Sequence, residues 1–290
     1  MLRQGITYAH EHVTVDLSGV KGDIDCRLDC QGETIAEFRR LKALGVANVI
    51  DVTNRGMGRN VEYVQQVAAR TGIHVVSATG YYKEPFLPEE VYALDEKALA
   101  DIMIAEILEG IDGTGIRAGI IGEIGASQDR ITPAEAKVFA AAARAHRETG
   151  RPISTHTTLG RLGLEQVDLL QRQGVDLAKV IIGHADLSGD AAYVLRLLDR
   201  GVFVAFDTIG KINYMAEERR LATLRAVCDR GLAGRVVLSM DITRRSHLAS
   251  FGGIGYSYLL QSFIPFIRAN GIAEADIQDM LCNNIHKIFQ

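Results

Sequence analysis

Four histidines and two carboxylates of this 290-residue chain fall near the ends of short apolar runs. His10 and His12 close ITYAHEH, Glu123 closes AGIIGE, His156 closes ISTH, His184 closes KVIIGH and Asp241 closes RVVLSMD. Imidazole nitrogen suits zinc and its neighbours, and a carboxylate can bridge two divalent ions held ~3.5–4 Å apart. Residues i and i+2 of a strand face the same side, so His10 and His12 can grip one ion while Glu11 points away. One H-x-H is a weak signal. H-x-H followed by a strand-end Glu, two strand-end His and a strand-end Asp is specific, because histidine seldom concentrates at one end of one architecture without a task. Two divalent ions per chain are therefore expected, zinc first and manganese as the alternative. His74, His146 and His286 lie away from these run ends and read as structural or solvated. His247 follows the last run by six residues and is within reach of a pocket mouth.

What must position these residues is an alternation of strands and helices. Eight β-branched runs, 6–10, 47–52, 74–79, 118–124, 153–156, 179–184, 203–208 and 235–241, are each too short for a helix. Most are continuously apolar, as strands covered on both faces are. Amphipathic stretches separate them. Thr132-Pro133-Ala134-Glu135 is a capping box with proline at the first helical position. Gly45, Gly72, Gly150, Gly174, Gly201 and Gly231 each stop a helix before a new strand. Eight such units in 290 residues match an α/β fold of the (β/α)8 TIM-barrel type, in which catalytic groups sit at the C-terminal ends of the strands. No G-x-G-x-x-G follows the first strand, which disfavours a doubly wound sheet. No linker or composition shift divides the chain, so residues 1–290 read as a single domain.

Composition narrows the function. At 47% hydrophobic and 23% charged residues the chain can bury a sizeable core, which excludes a disordered protein. A net charge of −4 writes no broad basic surface, so a small-molecule substrate is expected and nucleic acid is not. No apolar run approaches the ~18 residues of a membrane span, and nothing resembles a signal peptide. Four scattered cysteines form no disulfide framework, and Cys26 and Cys30 lack a second pair for a metal. A cytoplasmic setting is the expectation, and a homodimer is compatible with everything read so far.

The strings AHEH (9–12), TGYY (79–82), ITPAEAKVFAAAARAH (131–146), HTT (156–158), FDTIG (206–210) and SMDITRR (239–245) resemble the phosphotriesterase-like family of the amidohydrolase superfamily, nearest its homology-protein branch. The resemblance implies a TIM barrel and a binuclear hydrolase. His10, His12 and Asp241 would hold a buried ion, His156 and His184 a second, and Glu123 would bridge the two. A bridging hydroxide would attack an ester-type bond (carboxylic ester, lactone or phosphoester) of a small, anionic or neutral substrate, with Asp241 accepting the proton. Most of the family uses a carboxylated lysine where this chain has Glu123. Glutamate is three bonds shorter, a deficit of roughly 3–4 Å, so strand 4 must move inward, for instance through a bulge at Gly122. GEIG with the same ligand order also resembles the TatD-type deoxyribonucleases, which stay as an alternative, as does a metal-binding barrel without turnover. Candidates for substrate contact are Arg244 and Arg245, whose guanidinium groups can clamp an anion, with Tyr81, Tyr82, Lys211 and His247.

Overall fold

Each of the eight runs is a strand in the computed structural model, which describes residues 1–290. The barrel strands are β1 (Ile6–Glu11), β2 (Val46–Asp51), β3 (His74–Thr79), β4 (Ile120–Ala126), β5 (Ile153–Thr157), β6 (Val180–Gly183), β7 (Phe203–Phe206) and β8 (Val236–Leu238). All are parallel, and each pairs with its neighbours in sequence, as a (β/α)8 barrel requires. The last two strands with site residues are shorter than the sequence runs. His184 and Asp241 therefore lie in the loops just beyond β6 and β8.

The seam between β8 and β1 is closed by a side chain. The Glu11 carboxylate accepts hydrogen bonds from Ser239 Oγ (2.7 Å), Met240 N (2.7 Å) and Ile242 N (3.1 Å), and Ser239 Oγ accepts from His10 N (3.0 Å). Burial raises Glu11 to about 7, against the pull of those donors. A small antiparallel pair, Val15–Asp16 with Arg27–Leu28, covers the β1–β2 connection. Two-residue strands carry no periodicity, which is why sequence patterning does not expose it.

The helix Pro133–Thr149 bears out its capping box. Thr132 Oγ1 accepts from Glu135 N (3.2 Å), and Glu135 Oε2 accepts from Thr132 N (2.8 Å). The six helix-stopping glycines all take positive φ. Apolar packing is two-layered. Ala9, Ile50, Ala78, Ile120, Ile181 and Val237 fill the inside with Ile285 and Ile288 of the last helix, and a larger shell lies between strands and helices. Truncating one of the buried isoleucines to alanine should cost about 2–5 kcal/mol.

Candidate metal centre

Two bulges aim the ligands. In β1, Tyr8 pairs with Val49 but Glu11 with Asp51, so three steps on one strand oppose two on the other. The extra residue turns His10 and His12 into the barrel mouth and Glu11 toward β8. In β4, Ile121 pairs with Ile153 and Ile124 with Thr155, which leaves Gly122 and Glu123 opposite Ser154 alone. Gly122 has φ 129°, and a Cβ there would meet Ser154 O at 2.0 Å, so only glycine fits. Beyond it, Glu123 N donates to Val52 O (3.2 Å) on the β2 side, and Asn54 Nδ2 donates to Glu123 O (2.7 Å). A bulge at Gly122, the device anticipated for a short glutamate, is present.

The consequence is a cluster of acceptors facing one another. Glu123 Oε1 is 3.3 Å from His12 Nε2; its Oε2 is 3.4 Å from His10 Nε2, 3.1 Å from His156 Nδ1 and 3.7 Å from His184 Nε2. Asp241 Oδ1 is 3.3 Å from His12 Nε2 and 3.8 Å from His10 Nε2. Its other oxygen pairs with Lys211 Nζ, which is buried beside it. His10, His12 and Glu123 form one group with metal-ligand spacing, and Glu123, His156 and His184 form another. Glu123 belongs to both.

Hydrogen bonding fixes which ring nitrogens carry lone pairs. Thr53 Oγ1 donates to Thr14 O (2.9 Å), so toward His12 Nδ1 at 2.8 Å it can only accept. Nδ1 then bears the proton and Nε2 the lone pair. Asp207 does the same for His184, its Oδ1 lying 2.7 Å from Nδ1; its Oδ2 lies 3.2 Å from His10 Nδ1 without hydrogen-bond geometry. His12 Nε2 and both ring nitrogens of His10 are buried with no hydrogen-bond partner. Buried acceptors without donors are costly unless a cation serves them, so this donor set fits divalent metal. Asp207, His10 and His184 also have metal-ligand spacing. Because Asp207 faces the Nδ1 side of both rings, its place is behind the ligands.

Charge tells the same story. Burial pushes the Glu123 carboxyl up, yet His10, His12 and His156 together hold it well below the usual range. Asp241 is lowered likewise, with Lys211, His12 and His184 overcoming burial. Burial would lower His12 and His184. Instead Asp241 and Glu123 raise His12 to about 10, and Asp207 and Glu123 raise His184 well above the ordinary imidazole value. His156 falls to about 4 through burial and the neighbouring His184. Most of these groups are thus pulled toward the state that places positive charge between two carboxylates. The loops beyond β6 and β8 are strained to deliver them, since His184 and Asp241 have φ 54° and 50°. His184 N donates to Asp207 (3.0 Å), and Asp241 is clamped on both sides by the bonds of Met240 and Ile242 to Glu11.

The cluster floors a cavity of about 210 Å³ that Tyr82, Lys211 and Thr243 help to line. Tyr82 Oη sits 3.2 Å from His156 Nδ1. The other substrate candidates lie elsewhere. Tyr81 is fully buried outside the cavity, and Arg244 is held by Asp23 (2.7 Å) and Asp25 (3.4 Å). Arg245 stacks over Phe251 with 5.5 Å to the ring centre, and His247 Nδ1 accepts a long bond from Thr243 N (3.4 Å). Asp207, Thr53, Lys21 and Lys83 were not among the sequence candidates. Asp207 ends the run FVAFD and was findable by the same strand-end rule; Thr53, Lys21 and Lys83 carry no such mark.

The phosphotriesterase family model matches residues 2–289, and the chain belongs to that family. This decides between the two family resemblances, against the nuclease. The chain is 53% identical over 286 residues to the phosphotriesterase homology protein of Escherichia coli (strain K12), covering 99% of this chain and 98% of that one. The crystal structure of that protein, with phosphate in its active site, superposes with a TM-score of 0.97 over 99% of both chains. A lactonase from Listeria monocytogenes is 27% identical with a TM-score of 0.94, over 99% of this chain and 95% of that one. An N-acetyltaurine hydrolase of Danio rerio is 30% identical over 297 residues, covering 98% of this chain and 81% of its own. By family the chain is a hydrolase.

Proposed function

We propose that this chain is a binuclear metal-dependent hydrolase that cleaves an ester-type bond of a small substrate. The observation that carries the reading is the convergence of His10, His12, Glu123, His156, His184 and Asp241 on one cavity floor, with two imidazole lone pairs left without donors. His10, His12 and Asp241 would hold one ion, His156 and His184 the other, with Glu123 shared. Bound metal supplies water activation and polarisation of a carbonyl or phosphoryl oxygen. Asp241 is kept anionic by Lys211 and accepts the proton of the attacking water. The water oxygen bonds to the carbonyl carbon or phosphorus, the bond to the leaving oxygen breaks, and Asp241 returns the proton to that oxygen. Asp207 holds His184 and Thr53 holds His12 in the tautomers that point Nε2 inward. A second reading, amide hydrolysis, is favoured by the N-acetyltaurine hydrolase relative and requires the same proton return, to nitrogen. Elemental analysis and turnover of aryl esters, lactones, phosphotriesters and N-acetyl amino acids test both. Two divalent ions and hydrolysis of one class are expected; no metal after reconstitution with zinc or manganese would overturn the proposal.

A further inference from the structure

The cavity over the metal centre is lined by three lysines, Lys21, Lys83 and Lys211, against two carboxylates, Glu123 and Asp241, in a chain whose net charge is −4. Lys211 is committed to Asp241. The other two are not committed. Lysine ion pairs occur in this structure only at Lys97 and Lys211. The Lys83 ammonium has one backbone acceptor, Glu84 O at 3.2 Å, and lies 5.6 Å from the ring centres of both Tyr82 and Phe86. Lys21 Nζ approaches the same Phe86 ring to 5.9 Å. Two like charges thus converge on one aromatic ring at the mouth. Glu135, whose charge reaches Lys83, has its oxygens occupied by Glu84 N, Ser127 N and Oγ, and Thr132 N. Room for the lysine is built into the barrel: a Cβ on Gly125 of β4 would come within 3.1 Å of Lys83 Cβ.

Repelling cations brought together without an anion cost free energy that a ligand can recover, and the recovery is larger in a partly desolvated pocket than in open water. We infer that Lys21, Lys83 and Phe86 form an anion subsite at the pocket mouth. It takes the carboxylate or sulfonate of a small substrate whose opposite end reaches the ligand cluster. This rests on the hydrolase reading, and it turns an unspecified small substrate into an acyl compound with an anionic tail. Phe86 covers the short apolar linker between the two ends.

Two sulfonate probes separate the subsite from the chemistry. The metal-loaded protein is assayed with 4-acetoxybenzenesulfonate and with neutral 4-methylphenyl acetate, and 4-hydroxybenzenesulfonate is titrated calorimetrically. The ratio of kcat/KM for the sulfonated over the neutral ester should fall about tenfold in Lys83→Met, less in Lys21→Met, and be largely restored in Lys83→Arg. Calorimetric affinity for 4-hydroxybenzenesulfonate should fall in parallel. If neither ester is turned over, ester hydrolysis fails as the activity, and the titration still decides the subsite. An unchanged ratio, or equal affinity of wild type and Lys83→Met for the sulfonate, would overturn the subsite. Both lysines keep their charged ends clear of the core, so these variants should fold.

Discussion

Two polar clusters lie beside the barrel mouth, one largely buried and one partly exposed, and they are built on opposite principles. Next to the loops after β2 and β3, Arg55 and Arg59 meet Glu90, Glu106 and Asp112. Arg55 forks onto Glu90 at 2.7 and 3.0 Å, and Arg59 onto Glu106 at 2.7 and 2.6 Å. Thr79 Oγ1 completes Glu106 at 2.6 Å. The carboxylates there are met by arginine donors, although Arg59 Nε has no partner. In the strand-end cluster, imidazole nitrogens and two carboxylates face each other, Asp241 pairs with Lys211, and the Nε2 atoms of His10 and His12 have no hydrogen-bond partner. Carboxylates met by arginines are served as folded, in a cluster that stays partly open with Arg55 at 26% and Asp112 at 47% exposure; the strand-end cluster is more deeply buried and leaves ring nitrogens that a cation from outside can serve.

The contrast breaks most visibly at Glu123 and Asp241. Glu123→Gln should lose bound metal and activity together, because a neutral amide cannot serve two cations. Asp241→Asn should lower kcat by about 10²-fold or more with the fold intact, as expected for removal of a proton acceptor. Elemental analysis and steady-state kinetics on the wild-type substrate check both. Near-normal turnover with two tightly held ions in Glu123→Gln would mean that the centre is built from the histidines and Asp241 alone.

In the arginine cluster the expected loss is in stability. Glu106→Gln removes the carboxylate onto which the almost fully buried Arg59 forks, and should cost about 3–5 kcal/mol in urea unfolding at pH 7, with metal content unchanged. Burial raises the Glu106 carboxyl, but Arg59, Thr79 and Arg55 hold it below its ordinary 4.5. A lowered native value means that the stabilisation is present above pH 4.5 and is lost as pH falls through the lower native value. Wild type and variant should therefore converge on acidification. A gap that does not change with pH would show that packing, not charge, is what Glu106 contributes.

How much of this was legible beforehand depends on the length scale of the signal. Strands, helix stops and the His10, His12, Glu123, His156, His184 and Asp241 set are written in local periodicity and in residue type at run ends. The Pro133 helix is legible down to its cap. The direction in which His10, His12 and Glu123 point was not written locally, because it depends on bulges that appear only when β1 pairs with β2 and β4 with β5. Arg244 illustrates the reverse. It follows Asp241 closely in sequence, yet Asp23 and Asp25 of the β1–β2 connection, more than 200 residues earlier, draw it away from the cavity. Loop arginines are placed by partners that sequence proximity does not reveal.

A smaller effect is expected behind the ligands. Asp207→Asn would put an amide N–H or a neutral oxygen against the protonated Nδ1 of His184 and remove the carboxylate charge beside His10 Nδ1. Outer partners of this kind are worth about 10–100-fold in metal affinity, and lying beside two histidines places Asp207 at the upper end. Competition with a chelator measures it. Affinity equal to wild type would show that the β1 bulge and the strained loop after β6 orient His10 and His184 without Asp207.

The mildest test concerns one hydroxyl. Thr53 Oγ1 spends its only hydrogen on Thr14 O, which obliges it to accept from His12 Nδ1 and so sets the lone pair on Nε2. Thr53→Val keeps the shape and removes both bonds. The buried Nδ1–H then has no acceptor, and flipping the proton to Nε2 would cost the ligand. The penalty is one unmade hydrogen bond, about 1–2 kcal/mol, which corresponds to roughly tenfold weaker metal at the site that His12 serves. Thr53→Ser should restore it, because serine can make the same donor–acceptor pair. Recovery with serine but not valine would tie the effect to the proton on Nδ1 rather than to packing under His12. Equal metal affinity in wild type, valine and serine variants would mean that the His12 tautomer is set by Glu123 and Asp241 in front of the ring, and that the support behind it is dispensable.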